Sequence, residues 1–512
     1  MTTDSLVHPN RAGAPAPGRW SVVLVPLLLA GCMTDPQLPP PHLDTPTAAL
    51  QARAATVAAQ PALDASAPPS PWWRLFNDAT LTALEGEAGT RNLDLRAAVA
   101  RIDESRAQLG LVSANRAPQL AATAGYTRSG LSEHSPLHRL GAPTAGSSTW
   151  TLGLQAGWEL DLWGHLRQVE TSARMQLQAV AYGQEAVRVS VAAEVARTYL
   201  LLRGAQAQTA IAQDNQRIAQ DLLRMAESRA RNGVATRFDA AAARADLAGI
   251  EASLLQLQHQ RDTLMNALAL LLGWPPRELN DRLVDAALPA MPARLPVGVS
   301  SELARTRPDI LQANARLQAA VADIGAARAD FYPRIGLGGS LGVQAFQLSD
   351  LGSWASRQFS VGPTLHLPIF QGGRLQSQLA LSEARHQLAA IAYQQTVLRA
   401  WHEVDDALGA YASERAREVK LREAQQQSQV ALDVAQKGYQ EGVSDFTAVL
   451  VARRSLLSSQ AALADCATAS ALSVVGLYRA LGGGWSPELL QPDAAQAGSP
   501  QAVPAAEPDV RS

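Results

Sequence analysis

The sequence predicts an α+β membrane protein, internally duplicated, in which long α-helical hairpins are joined to four transmembrane β-strands per chain. Three observations carry that fold class. One half of the body repeats in the other. Four segments alternate apolar and polar residues over the length of a strand. Two long stretches, His165 to about Asn232 and Arg374 to about Glu441, contain no proline.

The duplication is read from paired positions. NLDLRAAVARIDESRAQLGLVSANRAPQL begins at Asn92, and RPDILQANARLQAAVADIGAARADFYPRI begins at Arg307. Asp94, Arg101, Gly110 and Pro118 match Asp309, Arg316, Gly325 and Pro333, each at an offset of 215. Ala181, Tyr182, Gln184 and Arg188 match Ala392, Tyr393, Gln395 and Arg399 at 211, and RNGV at Arg231 matches QEGV at Gln440 at 209. LLGW and LGGGW, ending at Trp274 and Trp485, close the two copies. Copies of about 200 residues are too long for solenoid units, so a whole half-molecule is repeated. The expected repeats span residues 72–275 and 298–485, joined by a linker over 276–297.

Each copy reads as helix, strand, loop, strand, long helix, tight turn, long helix. The strand pairs are expected near 118–128 and 149–162, then 333–346 and 357–369. In TWTLGLQAGWELDLW, Trp150, Leu152, Leu154, Ala156, Trp158, Leu160 and Leu162 share one face, and Thr151, Gln155, Glu159 and Asp161 lie on the other. Leu120, Ala122, Ala124 and Tyr126 form the apolar side of the partner strand. The second copy repeats the pattern with Ile335, Leu337, Leu341 and Val343, then Phe359, Val361, Leu365, Leu367 and Ile369. Strands of about 10 residues with this alternation are the mark of a transmembrane β-barrel. The alternative is an antiparallel sheet packed on a soluble core. Aromatic residues among the apolar positions, Tyr126, Trp150, Trp158 and Phe359, favour the barrel.

Four strands cannot close a barrel, and open sheet edges are not viable in hydrocarbon. Two chains would supply eight strands, and a barrel that small is filled by side chains. Three chains would supply twelve, which is enough for a lumen. A trimeric 12-stranded barrel is therefore the expectation.

At about 1.5 Å per residue each proline-free stretch reaches roughly 100 Å as a helix. Leu177, Val180, Val187 and Val191 follow three- and four-residue steps, and Leu388, Ile391 and Leu398 repeat them. Gln184, Glu194, Gln395 and Asp405 interrupt those lines, which suits helices that face neighbours on one side and water on another. An ordinary antiparallel bundle has the same periodicity. Each long helix ends at a glycine turn, around Gly233 and around Gly442.

The N-terminus explains how such a chain reaches a membrane. Arg11 and Arg19 precede the apolar run SVVLVPLLLA, and Leu29-Ala30-Gly31-Cys32 resembles a bacterial lipobox. Residues 1–31 are the expected signal peptide, and Cys32 the lipidated residue of an acylated linker over 32–71. Met33 rather than Asp follows the cysteine, which by the same resemblance implies the outer membrane. Residues 486–512 form an expected flexible tail. No run of about 18 apolar residues exists, so no spanning helix is expected.

Taken in order, several segments resemble the TolC-like outer-membrane efflux proteins, specifically the NodT-type outer-membrane factor lipoproteins. They are WWRLFNDATLTAL from Trp72, NLDLRAAVARIDESRAQL, WELDLWGHLR from Trp158, RPDILQANARLQAAVADIGAARADFYPRI, LPIFQGGRL from Leu367 and the two glycine tips. The resemblance implies a homotrimer whose barrel sits in the outer membrane and whose helices form a periplasmic tunnel. It implies a passive conduit for small molecules, docked on a periplasmic adaptor (membrane fusion protein) and an inner-membrane pump. It also implies a periplasmic gate at Tyr439, Gln440, Glu441, Asp445 and Phe446, and adaptor contacts at Gly233, Val234, Gly442 and Val443. Asp445 has a second reading as the cap of the following helix.

Other chemistry is not indicated. The net charge of −2 gives no electrostatic reason to expect nucleic acid. WHEVDD, from Trp401, lacks the second histidine of a zinc protease helix. GLGGSLG, from Gly336, lies within strand alternation, so its glycines mark a crowded or bent wall rather than a dinucleotide loop. Cys466, in an Ala-rich helix, reads as a small packing residue. No cofactor, metal or enzymatic activity is expected. The competing readings are a lipid-anchored periplasmic adaptor and a structural outer-membrane tether without a pore.

Overall fold

The computed structural model describes residues 63–64, 66, 68–233, 236–292, 294–298, 306–483 and 485. Cys32, the signal peptide and the tail lie outside them, as does Val234. Seven main helices are present: α1 (Ala79–Arg91), α2 (Leu93–Ala114), α3 (His165–Arg231), α4 (Arg237–Leu271), α5 (Pro308–Ala329), α6 (Arg374–Gln440) and α7 (Phe446–Ala480). Four long strands accompany them: β1 (Gln119–Ser129), β2 (Ser147–Leu160), β3 (Arg334–Ala345) and β4 (Arg357–His366). A two-residue parallel pair, Leu63–Asp64 with Leu295–Pro296, is separate from these. The chain divides into a sheet unit, with residues 118–168 and 324–379, and a helical unit formed by most of the remainder.

In the sheet unit the four strands form one antiparallel meander in the order β1-β2-β3-β4. Tyr126 pairs with Trp150 and Trp150 with Ala345, so the hairpins of the two repeats share one register and one apolar face. β2 begins earlier and ends earlier than its alternation suggests. The carboxylate of Asp161 accepts from the amides of Leu166 and Arg167, so it caps the start of α3 instead of extending the strand. β4 likewise ends at His366, two residues before Pro368, which has no amide hydrogen to donate to a ladder.

The helical unit has its core where both repeats begin and end. Trp72, Phe76, Leu81, Tyr199, Leu200, Leu268, Leu272 and Tyr478 are fully buried there. Trp72 lies parallel to Tyr478, with ring centroids 5.5 Å apart. The duplication survives as equivalent contacts. The Asn92 amide donates to the Leu271 carbonyl at 2.8 Å, and the matching Arg307 donates to the Ala480 carbonyl at 2.6 Å. These bonds satisfy carbonyls that α4 and α7 leave open at their C-termini. Arg91 lies over the Trp274 ring at 3.7 Å, and Trp485 donates to the Thr306 carbonyl at 2.8 Å, so the two closing tryptophans touch equivalent positions of the repeats, Arg91 and Thr306.

α3 and α6 are each 67 residues long. Among the described residues one helix, α7, is long and apolar enough by composition to cross a membrane. Its apolar side chains Val474, Val475, Leu477 and Tyr478 are buried in the core instead. α6 differs: Leu388, Ile391 and Leu398 are exposed along it.

Candidate functional site

The tips of the two hairpins are built alike. α3 is followed by Gly233 at φ 72° and α6 by Gly442 at φ 77°. This left-handed conformation is open to glycine without the Cβ clash that other residues incur. At the second tip Val443 donates to the Gly438 carbonyl at 2.8 Å and Gly442 to the Tyr439 carbonyl at 3.3 Å. That pair of bonds is a Schellman closure, which satisfies the last carbonyls of α6. The returning helices are capped as well. Thr236 and Asp239 form a capping box on α4, and Asp445 accepts from the Ala448 amide at 2.8 Å on α7.

The residues expected at the gate separate into two groups. Tyr439 and Phe446 are 9% and 3% exposed, with ring centroids 5.4 Å apart, in a cluster with Leu222, Ala226, Ala243 and Val449. Gln440, Glu441 and Asp445 are exposed, as are Gly233, Gly442 and Val443. The aromatic pair therefore forms the inside of the tip, and the carboxylates lie on its surface.

Beneath the tip, contacts between the hairpins include groups the sequence did not single out. Arg229, in the last turn of α3, lies over the Tyr439 ring at 4.4 Å. Arg453 on α7 is buried; it donates to Asp246 on α4 at 3.1 Å and to the Asn215 carbonyl on α3. Arg454 reaches the other oxygen of Asp246 at 3.1 Å. A signal for Arg453 was present in the sequence. Phe446, Val449, Leu450, Arg453 and Leu456 follow helical spacing, so the arginine sits in an otherwise apolar stripe. A charge in such a stripe needs a partner from another element.

The second candidate surface is the sheet. Leu120, Phe359 and Val361 are 71%, 75% and 76% exposed, and Leu152, Leu154, Leu337, Leu341 and Leu365 on the same face are also exposed. A continuous apolar face of this size marks contact with lipid or protein. The opposite face carries Thr123, Thr151, Gln155, Ser340, Ser360 and Thr364 with several glycines. Gly153 pairs with Gly342, and a Cβ on Gly342 would lie 2.6 Å from the Leu152 carbonyl oxygen. The glycines of the GLGGSLG run thus allow close strand contact. The outer strands β1 and β4 each have one ladder edge without a partner among the described residues.

In WHEVDD, His402 is exposed and Glu403 accepts from Arg307 at 2.7 Å. No group of three or more metal-ligating side chains occurs among the described residues. Cys466 is buried, with its sulfur 3.4 Å from a Glu414 carboxylate oxygen.

A sheet with an exposed apolar face and open edges, in a chain of long capped hairpins, fits a subunit of a membrane-embedded assembly. Comparison with known proteins gives the family. The profile described as "Outer membrane efflux protein" matches residues 84–274 and 299–483, one segment in each repeat. Outer membrane protein OprJ of Pseudomonas aeruginosa is 34% identical over 474 residues, covering 91% of this chain and 95% of that protein. The cation efflux system protein CusC of Escherichia coli (strain K12) is 31% identical, covering 81% and 88%. The solved outer-membrane channel OprN aligns with a TM-score of 0.80 at 33% identity, covering 89% of this chain and 100% of that one. The chain belongs to the outer membrane efflux protein family. It is an outer-membrane efflux channel component, and the channel reading is favoured over the adaptor and the tether.

Proposed function

We propose that three copies of this chain close one twelve-stranded barrel and one helical tunnel, a passive conduit from the periplasm or a pump to the exterior. The observation that carries this is the pair of open edges on an apolar-faced sheet. Unpaired edge amides in hydrocarbon cost several kcal/mol each, so a lone sheet would not persist in the membrane. The exposed stripe Leu388, Ile391 and Leu398 on α6 supports the same reading, since a neighbouring copy would cover it. Light scattering of the detergent-purified protein is expected to give three chains per particle, and planar bilayers are expected to show conductance. A monomer, or a folded particle without conductance, would overturn the proposal.

The tips of residues 232–236 and 441–445 are the proposed docking points for a periplasmic adaptor and an inner-membrane pump, with Gly233, Val234, Gly442 and Val443 as contacts. The gate is proposed at the second tip. Gln440, Glu441 and Asp445 present polar groups there, while Tyr439 and Phe446 hold the turn from within. Three copies around an axis would gather these carboxylates and favour cations by field focusing. Cys32 is the proposed lipid attachment, auxiliary to the barrel. Radiolabelled palmitate is expected on the native chain and not on Cys32→Ser.

A further inference from the structure

The loop end of the sheet holds two arginines that the channel reading does not use. Arg128 is the penultimate residue of β1, and Arg357 is the first residue of β4. Both strands lie at the outside of the meander. Arg128 shares its face with Leu120, Ala122, Ala124 and Tyr126. Arg357 shares its face with Phe359, Val361 and Leu365, and its partner Val343 also pairs with Leu152. Both guanidinium groups therefore belong to the apolar face, and both are exposed.

No Asp or Glu lies on that face in any of the four strands. Among the described residues neither arginine has a carboxylate partner. Arg357 lies over the Trp354 ring at 4.0 Å and donates to the Trp354 carbonyl at 2.7 Å. Near Arg128, Tyr126 packs on Trp150 with ring centroids 4.5 Å apart, and its hydroxyl is 3.2 Å from the Ser148 hydroxyl. Aromatic residues at a strand end mark the depth of the lipid headgroups.

We propose that each seam between copies forms a site for a phosphorylated glycolipid of the outer leaflet. The proposal rests on the closed-ring reading above. When β4 of one copy pairs with β1 of the next, Arg357 and Arg128 come to the same face at the same end. Two like charges beside hydrocarbon repel one another and lack a counter-ion. Guanidinium groups bind phosphate oxygens bidentately, so a phosphoryl group between them answers both deficits. The rest of the ligand follows from the surroundings. Phe359, Val361 and Leu120 lie further along the same strands and face acyl chains, so the phosphate belongs to a lipid. The loops 130–146 and 346–356 are at the end of the strands opposite their connections to the helices, which places the site in the outer leaflet.

The test is lipid binding to the purified particle by native mass spectrometry, with diphosphoryl lipid A as probe. The comparators are the same lipid without phosphate and inorganic phosphate alone. The expected result is retention of diphosphoryl lipid A, up to one per seam. The double substitution Arg128→Gln and Arg357→Gln should weaken retention about tenfold, and Arg128→Lys with Arg357→Lys should fall between the two, because it keeps the charge and loses the bidentate fork. Equal retention of the dephosphorylated lipid overturns the proposal, and that arm needs no variant. Unchanged binding by the double glutamine variant overturns it too, as does inorganic phosphate binding as tightly as the lipid. Particle mass and conductance, read on the same samples, separate the two levels. A trimer indifferent to lipid A sinks this site alone, whereas a monomer sinks the ring and the seam together.

Discussion

Arg453 of the second hairpin reaches Asp246 of the first at 3.1 Å, with both side chains nearly withdrawn from water. Burial opposes the charge on Arg453, and Asp246 counters it. Removing one partner of a buried pair leaves the other uncompensated, at about 3–5 kcal/mol. Asp246→Ala is therefore expected to destabilise the hairpin pair by that order and to loosen the tips, raising open-state conductance. Thermal unfolding and single-channel recording check both. Replacing both residues by apolar side chains of similar volume should recover much of the stability.

Trp72 and Tyr478 tie the start of the body to its last helix. Trp72→Ala is expected to cost about 3–5 kcal/mol through lost burial and a residual cavity, with a further contribution from the lost stacking. A lower unfolding midpoint and earlier proteolysis of the N-terminal segment would show it.

Glu85, on α1, is buried, with one carboxylate oxygen unpartnered among the described residues. Burial raises its pKa from 4.5 to about 9. Below pH 4.5 the side chain is neutral in both states, and ionisation then makes no difference to stability. Between pH 4.5 and about 9 only the unfolded state ionises, so stability falls by about 1.4 kcal/mol per pH unit. Glu85→Gln is then expected to stabilise the protein by about 3 kcal/mol at pH 7, with the gain vanishing near pH 4.5. Denaturant melts at the two pH values measure the difference.

Asp445 has two roles that substitution separates. Asparagine keeps the cap on α7 and removes the charge, whereas alanine removes both and costs about 1 kcal/mol of helix stability. Asp445→Asn is expected to lower the cation preference of the pore at unchanged unfolding midpoint. Reversal potentials under a salt gradient report the preference. An unaltered reversal potential would leave Asp445 as a cap only.

Gly342→Val is expected to prevent assembly, because its Cβ would meet the Leu152 carbonyl at 2.6 Å in the adjoining strand. Gly338→Val, where a Cβ meets nothing within 4 Å, should assemble normally. Light scattering distinguishes the two.

Most of the fold was legible before the structure. Alternation located four strands because a sheet in contact with lipid exposes every second residue to it. Absence of proline located the long helices, and glycine located their ends, because both residues act through local backbone geometry. Pairing of distant residues was not legible. Nothing in the local pattern states that Asn92 reaches Leu271 or that Asp161 ends a strand by capping a helix.

The sequence by itself determined the duplication, the strand and helix content and the family resemblance, since each follows from local pattern or order along the chain. The tertiary structure alone decided that Tyr439 and Phe446 fill the tip, that Arg453 joins the hairpins, and that Arg128 and Arg357 share the apolar face at opposite edges of the sheet. The physical reason is that burial and charge pairing arise between segments some two hundred residues apart, and no local periodicity encodes which of those segments meet.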